Sequence, residues 1–217
     1  MEEDDSPERI GDVAYGIFEI ILNRELKRRG RYLFERVKDR EDFLEDFKSI
    51  FLEFSREYKM LADALLEDFS GPGDIYSNIQ NGEGVIPSKT TRMYWIVQDA
   101  PDFSQSPEDD EKGGKWLIFA DKTNSDEIWE KIRDATIEKR LGISAKVSTA
   151  KQDKKEGDEK TVIYVNTRDW EDKEDVMRIR ENLREMGIEQ RIGYKRNLET
   201  FHGEYSDGGK KVTYYSA

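Results

Sequence analysis

The sequence predicts an α+β fold in which an N-terminal helical arm precedes a sheet with helices on one of its faces. Apolar residues recur at helical spacing over most of the first 68 residues. From Arg92 onward, short apolar runs alternate with polar loops, and two further amphipathic helices lie between them. Hairpin strands with helices on one side predict an antiparallel sheet with one covered and one open face. We therefore expect a helical arm with its linker, residues 1–88, and an α+β domain, residues 89–217.

The arm is predicted to contain two or three helices. The first extends from Pro7 to about Val37, with apolar residues at Ile10, Val13, Ala14, Ile17, Ile20 and Ile21. The second covers residues 41–68 and carries a stripe of Phe43, Phe47, Ile50, Phe51, Phe54, Tyr58, Leu61 and Leu65. We expect the stripe to be buried against the first helix, the sheet or another chain, which makes residues 41–68 a candidate surface for a protein partner. The composition of residues 71–91 predicts a connecting loop.

The α+β domain is predicted to contain six strands and two helices. The strands are expected at residues 92–98, 115–120, 144–151, 161–168, 191–195 and 211–215, and the helices at residues 125–140 and 171–186. Gly142 and Gly187 follow the two helices at positions where glycine commonly ends a helix. The side chains expected in the core between the helices and the sheet are Trp129, Ile132, Val176, Ile179 and Leu183.

The composition excludes several classes of protein. Charged residues make up 39% of the 217 residues, and no apolar run approaches the roughly 18 residues of a membrane-spanning helix. The acidic N-terminal stretch has no apolar signal core, so a cytoplasmic protein without membrane contact is expected. Cysteine is absent, which excludes disulfides, zinc–thiolate sites and cysteine nucleophiles. With a single histidine as well, we predict neither a metal site nor a cofactor.

The net charge of −12 is unevenly distributed along the chain. Residues 1–88 contain 12 basic and 21 acidic residues, whereas residues 89–217 contain 24 and 27. Neither part has the overall positive charge of a general polyanion binder. Any contact with nucleic acid must therefore come from a local cationic patch.

Several segments of the α+β domain follow one another in the order of a known superfamily. They are GGKWLIF (113–119), the helix containing Trp129, AKVSTAK (145–151), VIYVNTRDWEDKEDVMRIRENLREMGI (162–188) and RIGYK (191–195). Over residues 92–217 the chain thus resembles the translation initiation factor 4E-like superfamily, whose best-known members bind the mRNA cap. The segment YKRNLETFHGEYS (194–206) is similar to the characteristic end of the basophilic-leukaemia-expressed protein family, for which a phosphothreonine lyase activity has been suggested.

The resemblance implies a curved sheet with helices on its convex side and a ligand groove on its concave side. The glycines of KGGKWLIF (112–119) then form a turn into a strand, because a Walker-type loop would need a longer glycine pattern that ends in Lys-Ser or Lys-Thr. Members of the superfamily stack the methylated base between two tryptophans, one of them just before this turn. The corresponding loop here, PDFSQSPEDDEK (101–112), has no tryptophan, so cap binding of that form is not expected. The remaining base-stacking candidates are Trp95, Phe103 and Tyr164, although a tryptophan at the position of Trp95 on the first strand is more often a core residue than a ligand contact.

Strand alternation predicts which side chains reach the groove. Lys115, Leu117 and Phe119 share one face of their strand, and Lys115 faces the groove if Trp116 packs beneath the helices. The same reasoning brings further cations to this face, so that the candidate phosphate site consists of Lys115, Lys146, Lys151 and Arg168. The alternative is that these residues are solvated and pair with nearby acids.

The leading hypothesis is a non-enzymatic protein whose concave face binds a nucleotide, an RNA end or a phosphorylated ligand. One alternative is a phosphothreonine lyase, with Lys115 or Lys195 as the base, His202 as the acid, and Lys146 with Arg168 holding the phosphate. Another is an interaction module in which the helical arm mediates assembly. The oligomeric state is not predicted.

A basic cluster in the arm has two interpretations. Its members are Arg24, Lys27, Arg28, Arg29 and Arg31. It could contact RNA or an acidic partner. It could also be the C-terminal end of a helix, where cations complement the helix dipole, and the position of Gly30 favours this second interpretation.

Overall fold

The chain divides into two compact units. In the computed structural model, the described residues are 7–101, 103, 111–151, 160–198 and 213–217. The N-terminal unit takes the residues up to Tyr94 together with the short segment that begins at Thr149. The second unit holds the other described residues from Trp95 onward.

The N-terminal unit is helical throughout its length. Its helices are α1 (Pro7–Arg28), α2 (Leu33–Lys38), α3 (Leu44–Glu57), α4 (Lys59–Glu67) and α5 (Pro72–Gln80), followed by a 3₁₀ turn at Pro87–Lys89. None of the helices in the described part of the chain has both the length and the apolar character needed to cross a lipid bilayer.

Three predicted boundaries in this unit were wrong. The helix expected from Pro7 to Val37 is interrupted at Gly30, whose φ of 108° lies in the left-handed region that favours glycine. The helix expected over residues 41–68 is two helices, because Tyr58 leaves the helical conformation at φ −122° and ψ 54°. The loop expected over residues 71–91 contains helix α5, which begins with Pro72 in its first turn, a position where the missing N–H group costs nothing.

The core of the N-terminal unit is rich in aromatic rings. Phe18 of α1 contacts three rings of the α3 stripe, with centroid distances of 5.6 Å to Phe47, 5.3 Å to Phe51 and 5.1 Å to Phe54. The stripe is therefore buried against the first helix of the same chain, which is the first of the three expected ways of burying it. Phe43, Phe47, Phe51 and Phe54 are buried, whereas Tyr58 of the stripe is 38% exposed.

The first helix buries a different face from the one that its isoleucines suggested. The fully buried side chains of α1 are Ala14, Tyr15, Phe18, Leu22 and Leu26. Ile10, Val13 and Ile20 are about half exposed or more, at 49%, 58% and 64%. The face of α1 that carries Tyr15, Phe18, Leu22 and Leu26 is thus the one packed in the core, where Phe18 contacts the rings of α3.

The second unit is an open antiparallel sheet with two helices. Its strands are β1 (Trp95–Asp99), β2 (Gly114–Asp121), β3 (Ser144–Ser148), β4 (Lys160–Thr167), β5 (Gly193–Arg196) and β6 (Tyr215–Ser216), in the order β1-β3-β4-β2-β5-β6. Helix α6 (Ser125–Ile137) follows β2 and helix α7 (Lys173–Glu185) follows β4. Every strand pair among the described residues is antiparallel, so the predicted α+β class is confirmed.

Some predicted bounds in this unit differ from the structure. The first strand begins at Trp95 and not at Arg92, and β3 ends at Ser148 and not at Lys151. Helix α6 ends at Ile137, and Lys139 beyond it takes a left-handed φ of 60°. Of the strand predicted at residues 211–215, residues 211 and 212 lie outside the described residues, and β6 begins at Tyr215.

The two helices cover one face of the sheet, as predicted. The five side chains expected in the core, Trp129, Ile132, Val176, Ile179 and Leu183, are all buried to at least 99%. From the sheet, Trp116 is fully buried, and its indole Nε1–H donates a 3.0 Å hydrogen bond to the Val176 carbonyl in α7. This bond joins strand β2 to α7 and leaves the opposite face of β2 uncovered by these helices.

Candidate ligand-binding face

The open face of the sheet is formed by the alternate residues of each strand. In β2, Trp116, Ile118 and Ala120 are buried, whereas Lys115 and Leu117 are partly exposed and Phe119 is 53% exposed. The predicted orientation of Lys115 is thus confirmed. In β4, Ile163 and Val165 are buried, and Tyr164 and Asn166 lie on the open side.

The strand register arranges the side chains of the open face in rows across the sheet, and two of these rows contain Lys146 and Lys115. One row runs through Val97, Lys146, Tyr164 and Leu117, each opposite the next on a neighbouring strand. The other row runs through Asp99, Ser144, Asn166, Lys115 and Lys195. Lys146 and Lys115 therefore lie on adjacent rows, on either side of Tyr164.

A cluster of two aromatic rings and two lysines occupies the middle of the open face. The rings of Trp95 and Tyr164 stack with centroids 5.2 Å apart and an angle of 29° between their planes. The Lys146 ammonium lies 4.5 Å from the Trp95 centroid and 5.2 Å from the Tyr164 centroid. Lys115 Nζ lies 5.6 Å from the Tyr164 centroid. We call these four residues the Lys146 cluster.

The positive charge of Lys146 is stabilised by two aromatic rings and not by a carboxylate of the described residues. No carboxylate among the described residues forms an ion pair with it, and its charge is stabilised instead by the negative faces of the two rings. Burial lowers the pKa of Lys146 below its ordinary value of 10.5. The cluster therefore presents a partly desolvated cation, which is the kind of group that gains most from an incoming anion.

The surroundings of the cluster combine apolar surface with amide groups. Val97 and Phe119 are each 53% exposed on the same face. The Lys115 ammonium donates a 3.2 Å hydrogen bond to the side-chain oxygen of Asn197, and the Asn166 amide donates to the Ser144 hydroxyl at 2.9 Å. The apolar side chains of such a surface can contact the base of a ligand while its lysines contact a phosphate.

Lys151 does not take part in this site. Because β3 ends at Ser148, Lys151 belongs to the N-terminal unit, where its ammonium contacts the carboxylate of Asp12 and donates a 2.7 Å bond to the carbonyl of Arg92. The prediction that Lys151 lies in the groove was wrong, because it required β3 to continue to residue 151.

Arg168 and Phe103 line a cleft and are not part of the Lys146 cluster. The cleft has a volume of about 370 Å³ and is lined by Ala100, Phe103, Lys139, Leu141, Gly142, Ile143, Arg168, Asp169, Asp172, Asp175 and Arg178. Arg168 follows the end of β4 and is exposed. Within the cleft, Arg178 pairs with Asp175 at 2.6 Å, so both signs of charge are present. Of the residues predicted to form one site, Lys115 and Lys146 therefore lie on the open face, Arg168 lines a mixed-charge cleft, and Lys151 belongs to the N-terminal unit.

The predicted catalytic residues are only partly placed. Lys115 and Lys195 lie opposite each other on β2 and β5. His202 lies outside the described residues. In the portions of the chain that the structure describes, no group of histidine and acidic side chains is arranged to hold a metal ion.

The Gly-Gly stretch has a packing role that sequence reasoning did not find. Gly114 is the first residue of β2, and a Cβ atom at this position would lie 2.1 Å from the Tyr194 hydroxyl oxygen. Tyr194 is fully buried, and its hydroxyl is 2.6 Å from the hydroxyl of Thr167. The second glycine thus makes room for a buried tyrosine. In the register of β2 and β5, Gly114 is opposite Arg196 and Tyr194 is opposite Trp116, so this diagonal contact becomes visible once the sheet has formed.

The basic cluster of the arm is engaged within its own unit. Arg24 and Arg28 pair with Glu25, and Arg29 pairs with Asp46 at 2.6 Å. The hydrogen bond from Arg29 lowers the pKa of Asp46 below its ordinary range. Arg31 pairs with Asp39 and Glu41, and Lys27 lies 5.1 Å from the centroid of the Tyr32 ring. These contacts agree with the helix-end interpretation.

Comparison with known proteins finds a family match in the C-terminal half of the chain. The family is described as basophilic leukemia-expressed protein Bles03. Its model matches residues 108–201. The Bles03 match includes Lys115, Lys146 and Tyr164, whereas Trp95 precedes it. It confirms the predicted resemblance to this family. No curated protein sequence is significantly similar to the chain.

Among solved structures, the similar chains include cap-binding proteins of the eIF4E type. Schistosome eIF4E complexed with m7GpppA and 4E-BP is 16% identical with a TM-score of 0.43, over 57% of this chain and 69% of that chain. Ascaris suum eIF4E-3 with the m2,2,7G cap is 19% identical with a TM-score of 0.40, over 56% and 68%. C. elegans eIF4E-3 with the 4E-binding protein Mextli and a cap analog is 16% identical with a TM-score of 0.43, over 57% and 68%. What the present chain binds has to be argued from its own side chains.

Proposed function

We propose that the open face of the sheet binds a nucleotide or the phosphorylated end of an RNA, without changing it chemically. The observation that carries this proposal is the Lys146 ammonium, which is held over the rings of Trp95 and Tyr164 and is partly removed from water. A phosphate that approaches Lys146 meets a cation whose hydration has already been reduced. Charge-assisted hydrogen bonds formed under these conditions are among the stronger polar contacts in proteins.

The charge of the open face supports an anionic ligand. Among the strand residues that the structure describes, this face carries Lys115, Lys146, Lys160 and Lys195 against the two acids Asp99 and Asp121. The whole chain, in contrast, has a net charge of −12. A local excess of positive charge on an acidic protein is the cationic patch that contact with a phosphate requires.

Rings and apolar side chains beside the lysines support a ligand with a base. Trp95 and Tyr164 are partly exposed, and Val97 and Phe119 add apolar surface on the same face. Stacking of a base on an aromatic side chain contributes about 1–3 kcal/mol and tolerates any of the bases. A nucleotide uses both the ring surface and the cations, whereas a phosphorylated peptide side chain uses the cations alone.

A binding experiment with the purified full chain tests the proposal. GMP, GTP and a short 5′-phosphorylated RNA would be titrated while tryptophan fluorescence and heat of binding are recorded. We expect Lys146→Ala to weaken binding by about tenfold or more, because hydrogen bonds to charged groups contribute roughly 1.5–3 kcal/mol. Lys131→Ala is the matched control, since Lys131 is an exposed lysine of α6 that pairs with Glu127 on the covered side of the sheet. Equal affinities for the wild type and Lys146→Ala would refute the proposal.

The lyase alternative makes a separate prediction. Elimination of phosphate needs a base and an acid in addition to a phosphate-binding group. Lys115 and Lys195 are the candidate bases, and His202 is the candidate acid. We expect a phosphothreonine peptide incubated with the protein to keep its mass. Loss of phosphoric acid with the wild type, abolished in His202→Ala, would replace the binding proposal with the enzymatic one.

A further inference from the structure

We propose that the cleft lined by Arg168 and Phe103 is a second ligand site, and that its ligand is a small zwitterion such as a free amino acid or a dipeptide. The ammonium group of the ligand contacts aspartates of the cleft, its carboxylate contacts Arg168, and its apolar part lies against Phe103 and Ile143. The cleft shares no residue with the Lys146 cluster, so the inference does not depend on the proposed function.

The cleft has the size and the apolar surface of a small-molecule site. Its volume of about 370 Å³ lies at the lower end of the range of about 300–1,000 Å³ that is usual for ligand pockets. Its apolar lining consists of Ala100, Phe103, Leu141 and Ile143, of which Phe103 and Ile143 are partly exposed. This surface can cover the hydrocarbon part of a ligand, whereas the charged lining decides which ligand fits.

Hydrogen bonds between neighbouring segments hold the walls of the cleft in place. The Ile143 N–H donates to the Asn166 carbonyl of β4 at 2.9 Å, and the Ala100 N–H donates to the Ile143 carbonyl at 2.9 Å. Arg178 Nη1 donates to the Arg140 carbonyl at 2.9 Å, which joins α7 to the loop that follows α6. Because the walls are already fixed, little conformational freedom is lost when a ligand enters.

Two aspartates of the cleft are oriented by uncharged groups. Asp169 accepts a 2.8 Å hydrogen bond from the Glu171 N–H, and Asp172 accepts a 3.0 Å bond from the Asp175 N–H at the start of α7. These backbone donors fix the carboxylates without cancelling their charge, whereas Asp175 pairs with Arg178. An ammonium group in the cleft can therefore form charge-assisted hydrogen bonds with two oriented acids.

Arg168 supplies the opposite charge for the carboxylate of the ligand. It follows the last residue of β4, is exposed, and lines the same cleft as the aspartates. A guanidinium group can donate two parallel hydrogen bonds to a carboxylate. The charged lining as a whole contains equal numbers of basic and acidic residues: Lys139, Arg168, Arg178, Asp169, Asp172 and Asp175. A ligand of one sign is repelled by half of these groups, whereas a zwitterion can direct each end toward the opposite charge.

Titration of the ¹⁵N-labelled full chain with L-leucine and with L-leucyl-L-leucine tests the inference and distinguishes the amino acid from the dipeptide. We expect one or both to change the chemical shifts of the backbone amides of Gly142, Ile143 and Arg168. The N-acetylated ligand lacks the ammonium group, and the C-terminal amide lacks the carboxylate. Each should bind about fivefold or more weakly than the zwitterion, because a hydrogen bond to a charged group is lost.

Variants of the charged residues assign the two contacts. Asp169→Asn combined with Asp172→Asn removes both charges and keeps the side-chain oxygens that accept the backbone hydrogen bonds. We expect this double variant to bind the zwitterion and its N-acetyl form with nearly equal affinity. Arg168→Gln should bind the zwitterion and its amide with nearly equal affinity. Glu174→Gln is the control, since Glu174 is an exposed acid of the same helix turn outside the cleft lining, and it should behave as the wild type.

Several results would overturn the inference. One is the absence of shift changes at Gly142, Ile143 and Arg168 with both leucine and the dipeptide. Another is equal binding of the zwitterion and its N-acetyl or amide form by the wild type. A preference that persists in the folded double variant would also overturn it, and if that variant fails to fold, persistence in both single asparagine variants does the same. Nucleotide binding by the open face stands or falls separately from these results.

Discussion

The Lys146 ammonium lies 4.5 Å from the centre of the Trp95 ring, on the face of the sheet that the helices leave open. A cation in this position is stabilised by the ring and loses part of its hydration. Both effects bear on its protonation and on what it can bind, and they lead to the first of four predictions.

Nucleotide binding should weaken as the pH rises. The loss should begin at a lower pH than it would if a lysine with an ordinary pKa held the phosphate. Burial lowers the pKa of Lys146 from 10.5, so the charged form that attracts phosphate is lost as the pH rises through the lowered value. The phosphates of a nucleotide are fully ionised well below that range. We expect the Kd for GTP to rise at pH values below the ordinary lysine pKa of 10.5, measured by tryptophan fluorescence.

Lys146→Arg provides the control for this pH dependence. An arginine stays charged throughout the range, so its binding curve should stay nearly flat. Parallel pH profiles for the wild type and Lys146→Arg would show that Lys146 does not govern the binding.

Replacement of Trp116 by phenylalanine should destabilise the sheet-bearing unit. The substitution removes the 3.0 Å hydrogen bond to the Val176 carbonyl and leaves a cavity at a fully buried position. We expect a loss of about 2–4 kcal/mol in the free energy of unfolding, measured by urea denaturation. Phe119→Leu, on the 53% exposed side of the same strand, should cost less than about 1 kcal/mol. Similar losses for the two variants would contradict the assignment of covered and open faces.

Gly114→Ala should be far more damaging than the substitution of another glycine. A Cβ atom at Gly114 would lie 2.1 Å from the Tyr194 hydroxyl oxygen and 2.4 Å from its Cζ, and the buried ring has no room to move away. We expect a loss of about 3 kcal/mol or more, or failure to fold. Gly73→Ala is the control, because no heavy atom lies within 4 Å of the added methyl group there. A Gly114→Ala variant with wild-type thermal stability would contradict the packing of Tyr194.

Glu19→Gln should stabilise the protein above neutral pH. Burial raises the pKa of Glu19 from 4.5 to about 8. The folded state therefore holds a proton that the unfolded state releases above about pH 4.3, the ordinary glutamate pKa. The contribution of Glu19 to stability is therefore greatest below that pH and falls as the pH rises toward 8, where the side chain ionises in the folded state.

The glutamine variant removes this pH dependence. At pH 8 we expect the free energy of unfolding to be higher in the variant by on the order of 2 kcal/mol. The gain is limited to this size because part of the Glu19 side chain reaches water, and solvent screening reduces the penalty for its charge. Below about pH 5 we expect little change. The measurement is urea denaturation of both proteins between pH 5 and 9. A stability difference that stays constant over this range would exclude ionisation of Glu19 as its cause.

Local patterns in the sequence predicted the fold class and the two faces of the sheet. The alternation in β2 identifies Trp116 as covered and Lys115 as open, because successive side chains of any strand point to opposite faces. Helical spacing likewise identified the buried sides of α6 and α7. These features depend on residues only a few positions apart, and such residues keep the same relation to each other in any fold that forms the element.

Patterns failed where tertiary packing overrode local preference. The apolar stripe of residues 41–68 is continuous in sequence, yet Tyr58 breaks it into α3 and α4. Helix α5 forms in a segment whose glycines and prolines predicted a loop, and its Ile75 and Ile79 are fully buried. Burial of these two side chains stabilises a helix that the local composition disfavours.

The sequence by itself determined that the second unit contains strands and helices in this order and that Lys115 and Lys146 reach the open face, since each depends on a local period. The tertiary structure alone decided that Trp95, Lys146 and Tyr164 meet, because this requires the order β1-β3-β4, which joins residues 51 and 18 positions apart along the chain. It also decided that Lys151 pairs with Asp12 and that Gly114 makes room for Tyr194. Contacts between distant segments follow from how the strands are ordered and registered, and the free energy of the whole folded chain selects that arrangement.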